Sequence, residues 1–203
     1  MYEQEPEKEL TPQEKIASAL GSVGKFILSF VETIVVALVI SVVIYLFVMT
    51  PHEVVGQSMH PTYQNGEMLM ANKITYKVGK PKRGDVIIFK YSETQDFIKR
   101  IIGLPGDTVM LKDGKLYING TLLDESHYLQ SSVYTNGGQY LTEGEQVTVP
   151  EGRYFVCGDN RPHSSDSRAF GPIDEKDIKG KAWIVYYPFA NFRLVKHEIY
   201  QGF

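Results

Sequence analysis

The sequence predicts a mostly β protein: a single N-terminal transmembrane α-helix, then an antiparallel β-sheet domain carrying an inserted β-rich lobe. Three observations predict it. One uninterrupted apolar run lies near the N-terminus, short β-branched and aromatic segments recur after it, and Gly, Pro, Asn or Asp separate those segments. Composition removes several other classes. An aromatic content of 12% and modest charge are wrong for a disordered chain, and a net charge of -3 argues against a nucleic-acid binder held by a broad basic surface. A single cysteine excludes an internal disulfide framework and a cysteine-rich zinc site.

The apolar run covers Phe26 to Met49, with Glu32 as its only ionisable side chain. As a helix these residues extend ~36 Å, enough to cross a hydrocarbon core of ~30 Å with some tilt. A signal peptide would have a shorter apolar region and a small-residue cleavage site, whereas this run ends in TPHEVV. An uncleaved anchor over 26–49 is therefore expected, preceded by a short polar tail over 1–25. Lys15 and Lys25 precede the span, and no Lys or Arg follows it until Lys73. The positive-inside rule then places the N-terminus in the cytoplasm and residues 50–203 outside, at the plasma membrane.

The outer part has balanced charge and is large enough to bury a core. DVIIFKY, FIKRIIG, DTVMLKDGKLYING, QVTVP, RYFVCGD and KAWIVYYP read as strands. Lys112–Asp113–Gly114–Lys115 and Ile118–Asn119–Gly120 read as tight turns, because Asp-Gly and Asn-Gly accept positive φ. The Gly- and polar-rich stretch from about 111 to 149 reads as a lobe inserted between core strands. Helical period is scarce here, the best stretch being DEKDIKG.

Few side chains suit chemistry. Cys157 sits in a strand-like run, where a free cysteine is more often a small core residue than a reactive thiol. The histidines at 52, 60, 127, 163 and 197 form no metal-binding pattern. Ser58 follows a Gly-Gln pair shortly after the anchor, and taken alone it reads as a loop serine. A serine becomes a nucleophile only when a base takes its proton. His60 and His163 are candidates, and so is a lysine whose amine has lost its proton through burial. Strand alternation places Phe97, Lys99 and Ile101 on one face and Ile98, Arg100 and Ile102 on the other. Lys99 thus lies between two large apolar side chains while Arg100 points away. By periodicity alone, an edge-strand lysine guarding against aggregation is the favoured reading.

Four segments add a resemblance. GQSMHPT (56–62), KRGDVIIFKY (82–91), FIKRIIGLPGD (97–107) and GDNRPHSSDSRAFGPI (158–173) resemble, in order, the sequence boxes of bacterial type I signal peptidases. Those are membrane-bound Ser-Lys endopeptidases with a mostly β catalytic core. The single anchor and short insert resemble the family's Gram-positive branch. The resemblance implies that Ser58 is the nucleophile, Lys99 the general base, and Ser164 the hydroxyl that orients the lysine amine. It implies that Asp166 braces the site through Arg100 and Arg168. The family's oxyanion-binding serine is replaced here by Gly56, so the Ser58 N–H and a backbone group or water near Gly56 are the expected donors.

The resemblance further implies that exported preproteins are the substrates and are cut after small residues at Ala-x-Ala sites, with no cofactor and no metal. An extended peptide is expected to add as a strand beside Asp96, Phe97 and Ile98 and beside the segment from Glu53 and Val54 to Gly56. Besides these preproteins, the expected partner is the lipid bilayer, with no nucleic acid. Two competing readings remain: a sortase-like transpeptidase using Cys157, His163 and Arg168, and an anchored binding module without chemistry.

Overall fold

A long apolar run satisfies its own backbone groups by becoming a helix, and here it does so over more residues than its hydropathy requires. The structure, a computed structural model, describes residues 11–130 and 132–200. Helix α1 spans Pro12–Phe47, 36 residues, and its Leu20–Phe47 part is long and apolar enough to cross a membrane. The expected polar tail over 1–25 is therefore helical from Pro12 onward, while residues 1–10 lie outside the described residues. The reason is local. PQEKIASAL opens with proline, which is tolerated in a first turn, and continues with Gln, Glu, Lys, Ala and Leu, all good helix formers. The helix stops at Phe47, two residues before the predicted limit. Pro51 follows closely, and proline biases Thr50 toward extended backbone.

The chain divides into two units, Met1–Leu46 and Phe47–Phe203. The second is built on antiparallel strands: β1 (Met49–Glu53), β2 (Met68–Asn72), β3 (Val86–Lys90), β4 (Asp96–Gly103), β9 (Arg153–Cys157), β10 (Ile173–Asp174) and β11 (Ile178–Tyr187). They form a sheet in the order β1-β2-β11-β3-β4-β9-β10, with β12 (Arg193–Leu194) pairing on β11. A second sheet, in the order β7-β6-β5-β8, comprises β5 (Thr108–Lys112), β6 (Lys115–Ile118), β7 (Thr121–Leu122) and β8 (Gln146–Thr148). Helical structure within this unit is limited to the one-turn α2 (Thr75–Val78) and α3 (Ser167–Phe170) and to three 3-10 turns among the described residues. One of those turns, Glu175–Asp177, is where DEKDIKG shows its period. The β5–β6 turn holds Asp113 at φ 52° and Gly114 at φ 68°, the two positive values a tight hairpin requires.

Burial follows the strand period. On β3, Val86 and Ile88 join one apolar cluster with Val54, Met59, Leu69 and Val185, while Ile87 and Phe89 join another with Ile101, Tyr154 and Val156. The large sheet is thus covered on both faces, so β3 reads as a continuous apolar run. A third cluster fills the lobe with Val109, Leu111, Leu116, Ile118 and Leu141, and joins it to Ile102, Phe155 and Cys157 of the large sheet. The lobe and the sheet carrying β4 and β9 therefore share one core.

Two features of pairing position the site. Strand β4 pairs with β3 along Asp96–Arg100, but β9 takes its other edge only from Arg100 onward. The outer edge of Asp96–Lys99 carries no strand among the described residues. Strand β1 ends the sheet and, among the described residues, pairs only with β2.

Leu116→Ala removes a fully buried side chain from the lobe cluster. It is expected to lower stability by about 2–5 kcal/mol, measured by denaturant unfolding. Leu122→Ala at a half-exposed position should stay within about 0.5 kcal/mol.

Candidate active site

Strand β4 carries Lys99 into the interior, where only 3% of it remains accessible. Its Nζ lies 2.8 Å from Ser58 Oγ and 3.0 Å from the carbonyl oxygen of Ile98. The Phe97 ring covers the amine, its centroid 4.9 Å away. Burial disfavours the ammonium form and pushes the Lys99 pKa down to about 8, although the negative charge of Asp166 opposes the drop. The aggregation-guarding reading of Lys99 fails for the same reason: that role needs a solvated ammonium.

Ser58 sits in a turn between β1 and β2, and that turn is held from the far side of the chain. Asn160 N–H donates to the Ser58 carbonyl at 2.9 Å, and Asn160 Nδ2 donates to the Gln57 carbonyl at 2.9 Å. Thr62 Oγ1 donates to Asp159 Oδ2 at 2.7 Å. Gly158 completes the approach. A Cβ there would fall 2.4 Å from the Ser58 carbonyl oxygen and 2.3 Å from Ser164 Oγ, so only glycine lets these two loops meet.

The arginines are arranged differently from expectation. Arg100 does not pair with Asp166. Its Nε and Nη2 grip Asp159 at 2.9 and 2.7 Å, Nη1 donates to the Gly84 carbonyl, and its guanidinium lies 4.2 Å from the centre of the Tyr128 ring. Asp159 adjoins Gly158 and takes the two-point contact that a buried guanidinium needs. Asp166 pairs with Arg168, at 2.8 Å from both Nε and Nη2, and accepts the Gly158 N–H at 3.0 Å. Burial works against the Asp166 charge, yet these donors hold its carboxyl below the usual range. Arg168 also donates to the Asn136 and Arg161 carbonyls, tying the lobe to the site.

Ser164 lies against Gly158 beside the site. Its hydroxyl is buried, makes no hydrogen bond to Lys99 among the described residues, and helps to hold the Asp166 charge. Lys99 instead gives its second hydrogen bond to its own strand, at Ile98. The sortase-like alternative is excluded outright. Cys157 is fully buried on β9, where burial pushes its thiol up and away from reactivity. His163 lines the cavity near Ser58, but neither it nor His60 hydrogen-bonds the hydroxyl among the described residues.

An open cavity of ≈ 280 Å³ runs past the pair, lined by Glu53, Val54, Val55 and Gly56 on one side and by Asp96, Phe97 and Ile98 on the other. The two segments singled out for an extended peptide therefore face one groove. The Asp96 carboxylate is engaged by Lys179 at 2.7 Å, which leaves its backbone as the part available to a ligand. Gly56 adopts φ +91°, and its N–H donates to Asn65 Oδ1 at 2.7 Å. That N–H is occupied and is not a free oxyanion donor. The Ser58 N–H has no partner among the described residues.

Sequence reasoning assigned no role to Gly158, Asp159 or Asn160, although all three lie in the GDNRPHSSDSR segment. Their contacts reach residues between 59 and 103 positions away, and no local pattern marks such pairing.

Comparisons with known proteins identify the family. The family model described as "Signal peptidase, peptidase S26" matches residues 27–187. Signal peptidase IB of Staphylococcus aureus is 40% identical over 180 residues, covering 83% of this chain and 94% of that protein. Signal peptidase I of Bacillus licheniformis is 41% identical over 168 residues, covering 81% of this chain and 90% of that one. A crystal structure of a signal peptidase I from Enterococcus faecalis V583 aligns with TM-score 0.42 and 37% identity, covering 51% of this chain and 97% of that chain. The sequence matches span the apolar helix, the serine turn, the lysine strand and the Gly-Asp-Asn loop together, and the chain therefore belongs to the signal peptidase family, peptidase S26.

Proposed function

We propose that the protein is a membrane-anchored endopeptidase that removes signal peptides from exported preproteins, with Ser58 as nucleophile and Lys99 as general base. The observation that carries this reading is the 2.8 Å contact between a buried Lys99 amine and the Ser58 hydroxyl. Membership of a serine peptidase family supplies the reaction class. In the neutral amine the nitrogen lone pair accepts the Ser58 proton as Oγ attacks the scissile carbonyl. The resulting ammonium then delivers that proton to the leaving amine. A neutral amine has two N–H groups, one of which is directed to Ile98. Ser164, the buried hydroxyl beside the site, whose own O–H faces the Asp166 carboxylate, is the acceptor we assign to the other. Arg168 with Asp166 braces the Ser164 loop, and Arg100 with Asp159 braces the Ser58 turn.

The Ser58 N–H is proposed as the first oxyanion donor, with water beside Gly56 as the second. The substrate is an extended chain bound along the open edges of Asp96–Ile98 and Glu53–Gly56. Val54 and Ile98 form shallow apolar walls that favour small side chains and Ala-x-Ala sites. Lysines before the span and none immediately after it favour an N-terminus in the cytoplasm and a catalytic unit on the outer side of the plasma membrane.

Purified full-length enzyme and a preprotein test the assignment. Ser58→Ala and Lys99→Ala should each lower cleavage by about 10⁴-fold or more while the proteins stay folded. Near-wild-type cleavage by Lys99→Ala would exclude the dyad.

The pH dependence follows from the direction of the Lys99 shift. With a pKa near 8 in the folded protein against 10.5 unperturbed, the base is protonated and inactive below about pH 8. The cleavage rate should rise with pH through that value. Folding stability should rise over the same direction, because between about 8 and 10.5 the unfolded chain binds the proton and the folded one does not. The gain is about 3 kcal/mol, absent below pH 8 and complete above 10.5.

Gly56→Ser would add the hydroxyl that better-known members use. Space is open there, but φ +91° is strained for serine. We expect kcat to fall by about 10-fold or more, and a rise in kcat would show that the turn adapts and that the hydroxyl is used.

A further inference from the structure

The outer part of the chain is neutral as a whole, but one stretch is not. KITYKVGKPKR (73–83) holds five cations and no acid. It begins where β2 meets the end of the apolar helix: the Lys73 N–H donates to the Val48 carbonyl at 2.8 Å, and Lys77 Nζ lies 5.9 Å from the centre of the Phe47 ring. A groove of ≈ 480 Å³ opens beside it, walled by Lys73, Lys77, Lys176 and Lys179, with Glu175 as its one carboxylate. Lys176 is 80% exposed and makes one long ion pair, to Asp174 at 4.0 Å, while Lys77 and Lys80 are exposed and pair with no carboxylate among the described residues. Between these cations α2 and the residue that caps it turn apolar side chains outward. Val78 is 83% exposed and Ile74 39%.

Each of these features alone is ordinary on a protein surface. Together they describe an element that lies in a charged interface: lysines whose stems and heads reach phosphate, and apolar tips that enter the acyl boundary. Headgroup layers occupy ~5–7 Å on each side of the hydrocarbon. Lys73 N–H is bonded to the Val48 carbonyl, so the cluster stays close along the chain to the residue that directly follows the apolar helix.

We propose that the 73–80 segment with Lys176 and Lys179 forms a docking site for anionic phospholipid headgroups, in the leaflet at which the apolar helix ends. Lys77, Lys80 and Lys176 provide the charge, and Ile74 and Val78 insert beside them. The groove between Lys77 and Lys176 receives a phosphate. This fixes the β unit against the bilayer at a second point beyond the single covalent connection. The inference depends on the helix being a membrane anchor and is independent of which residues catalyse.

The test uses the full-length chain with Val78→Cys carrying an environment-sensitive fluorophore. Cys157 is fully buried and stays unlabelled. The protein is reconstituted into vesicles of phosphatidylcholine alone or of phosphatidylcholine with phosphatidylglycerol. The expected result is blue-shifted emission, quenched by lipid-borne quenchers, only where phosphatidylglycerol is present, and weakened by added salt. Replacing Lys77, Lys80 and Lys176 by Gln should reduce the docked-to-undocked ratio about five-fold per lysine, whereas Arg at all three positions should preserve it. Equal emission in both vesicle types, or an unchanged response in the Gln variant, would overturn the proposal. Because the readout is fluorescence, an error in the catalytic assignment leaves it unaffected.

Discussion

Burying the ε-amine of Lys99 against the Ser58 hydroxyl is the constraint on which the rest of the β unit depends. An ammonium removed from water costs several kcal/mol unless it is paired or loses its proton, and no carboxylate pairs with Lys99 among the described residues. The surrounding structure tolerates this by surrounding the amine with apolar surface and by keeping Asp166 engaged with Arg168. A carboxylate in direct contact would restore the ammonium and raise the pKa again. Distance from Asp166 matters here as much as proximity to Ser58.

The two buried Arg–Asp pairs serve geometry more than charge. Arg100 follows Lys99 on β4 and points to the opposite face, so the strand that delivers the amine also anchors Asp159. Asp159 and Asn160 then hold the turn that carries Ser58. Arg168 does the same for the Ser164 loop and reaches into the lobe at Asn136. Glu125 grips the fully buried Arg161 from the lobe, and Tyr128 stacks on Arg100. The lobe is therefore coupled to the site through three arginines as well as through the shared core around Ile102, Phe155 and Cys157. Such networks rigidify when every donor is satisfied, and here they hold both loops of the site in place.

Much of this was legible in the residues. Alternation placed Lys99 and Arg100 on opposite faces of a strand, and the structure keeps them there. Asp113-Gly114 and Asn119-Gly120 marked the lobe's turns because few residue pairs accept two positive φ angles. The apolar run marked its helix, although the helix extends N-terminally to Pro12, since polar residues with good propensity give no stop signal. What was not legible is pairing at long range. Arg100 was expected on Asp166 and lies on Asp159, because two carboxylates seven residues apart in one loop are equivalent until the loop is folded. The basic stretch after β2 was visible as composition, but its place beside Val48 was not.

The sequence by itself determined the class of the protein, the run of strands, the helix, the candidate serine and lysine, and the outward and inward faces of β4, because each depends on spacing along one segment. Only the tertiary structure decided that β4 leaves the edge of Asp96–Lys99 open, that Gly158 lets two loops touch, and that the Gly56 N–H is already occupied by Asn65. Those are contacts between segments remote in sequence, fixed by sheet order and close packing, and no local periodicity encodes them.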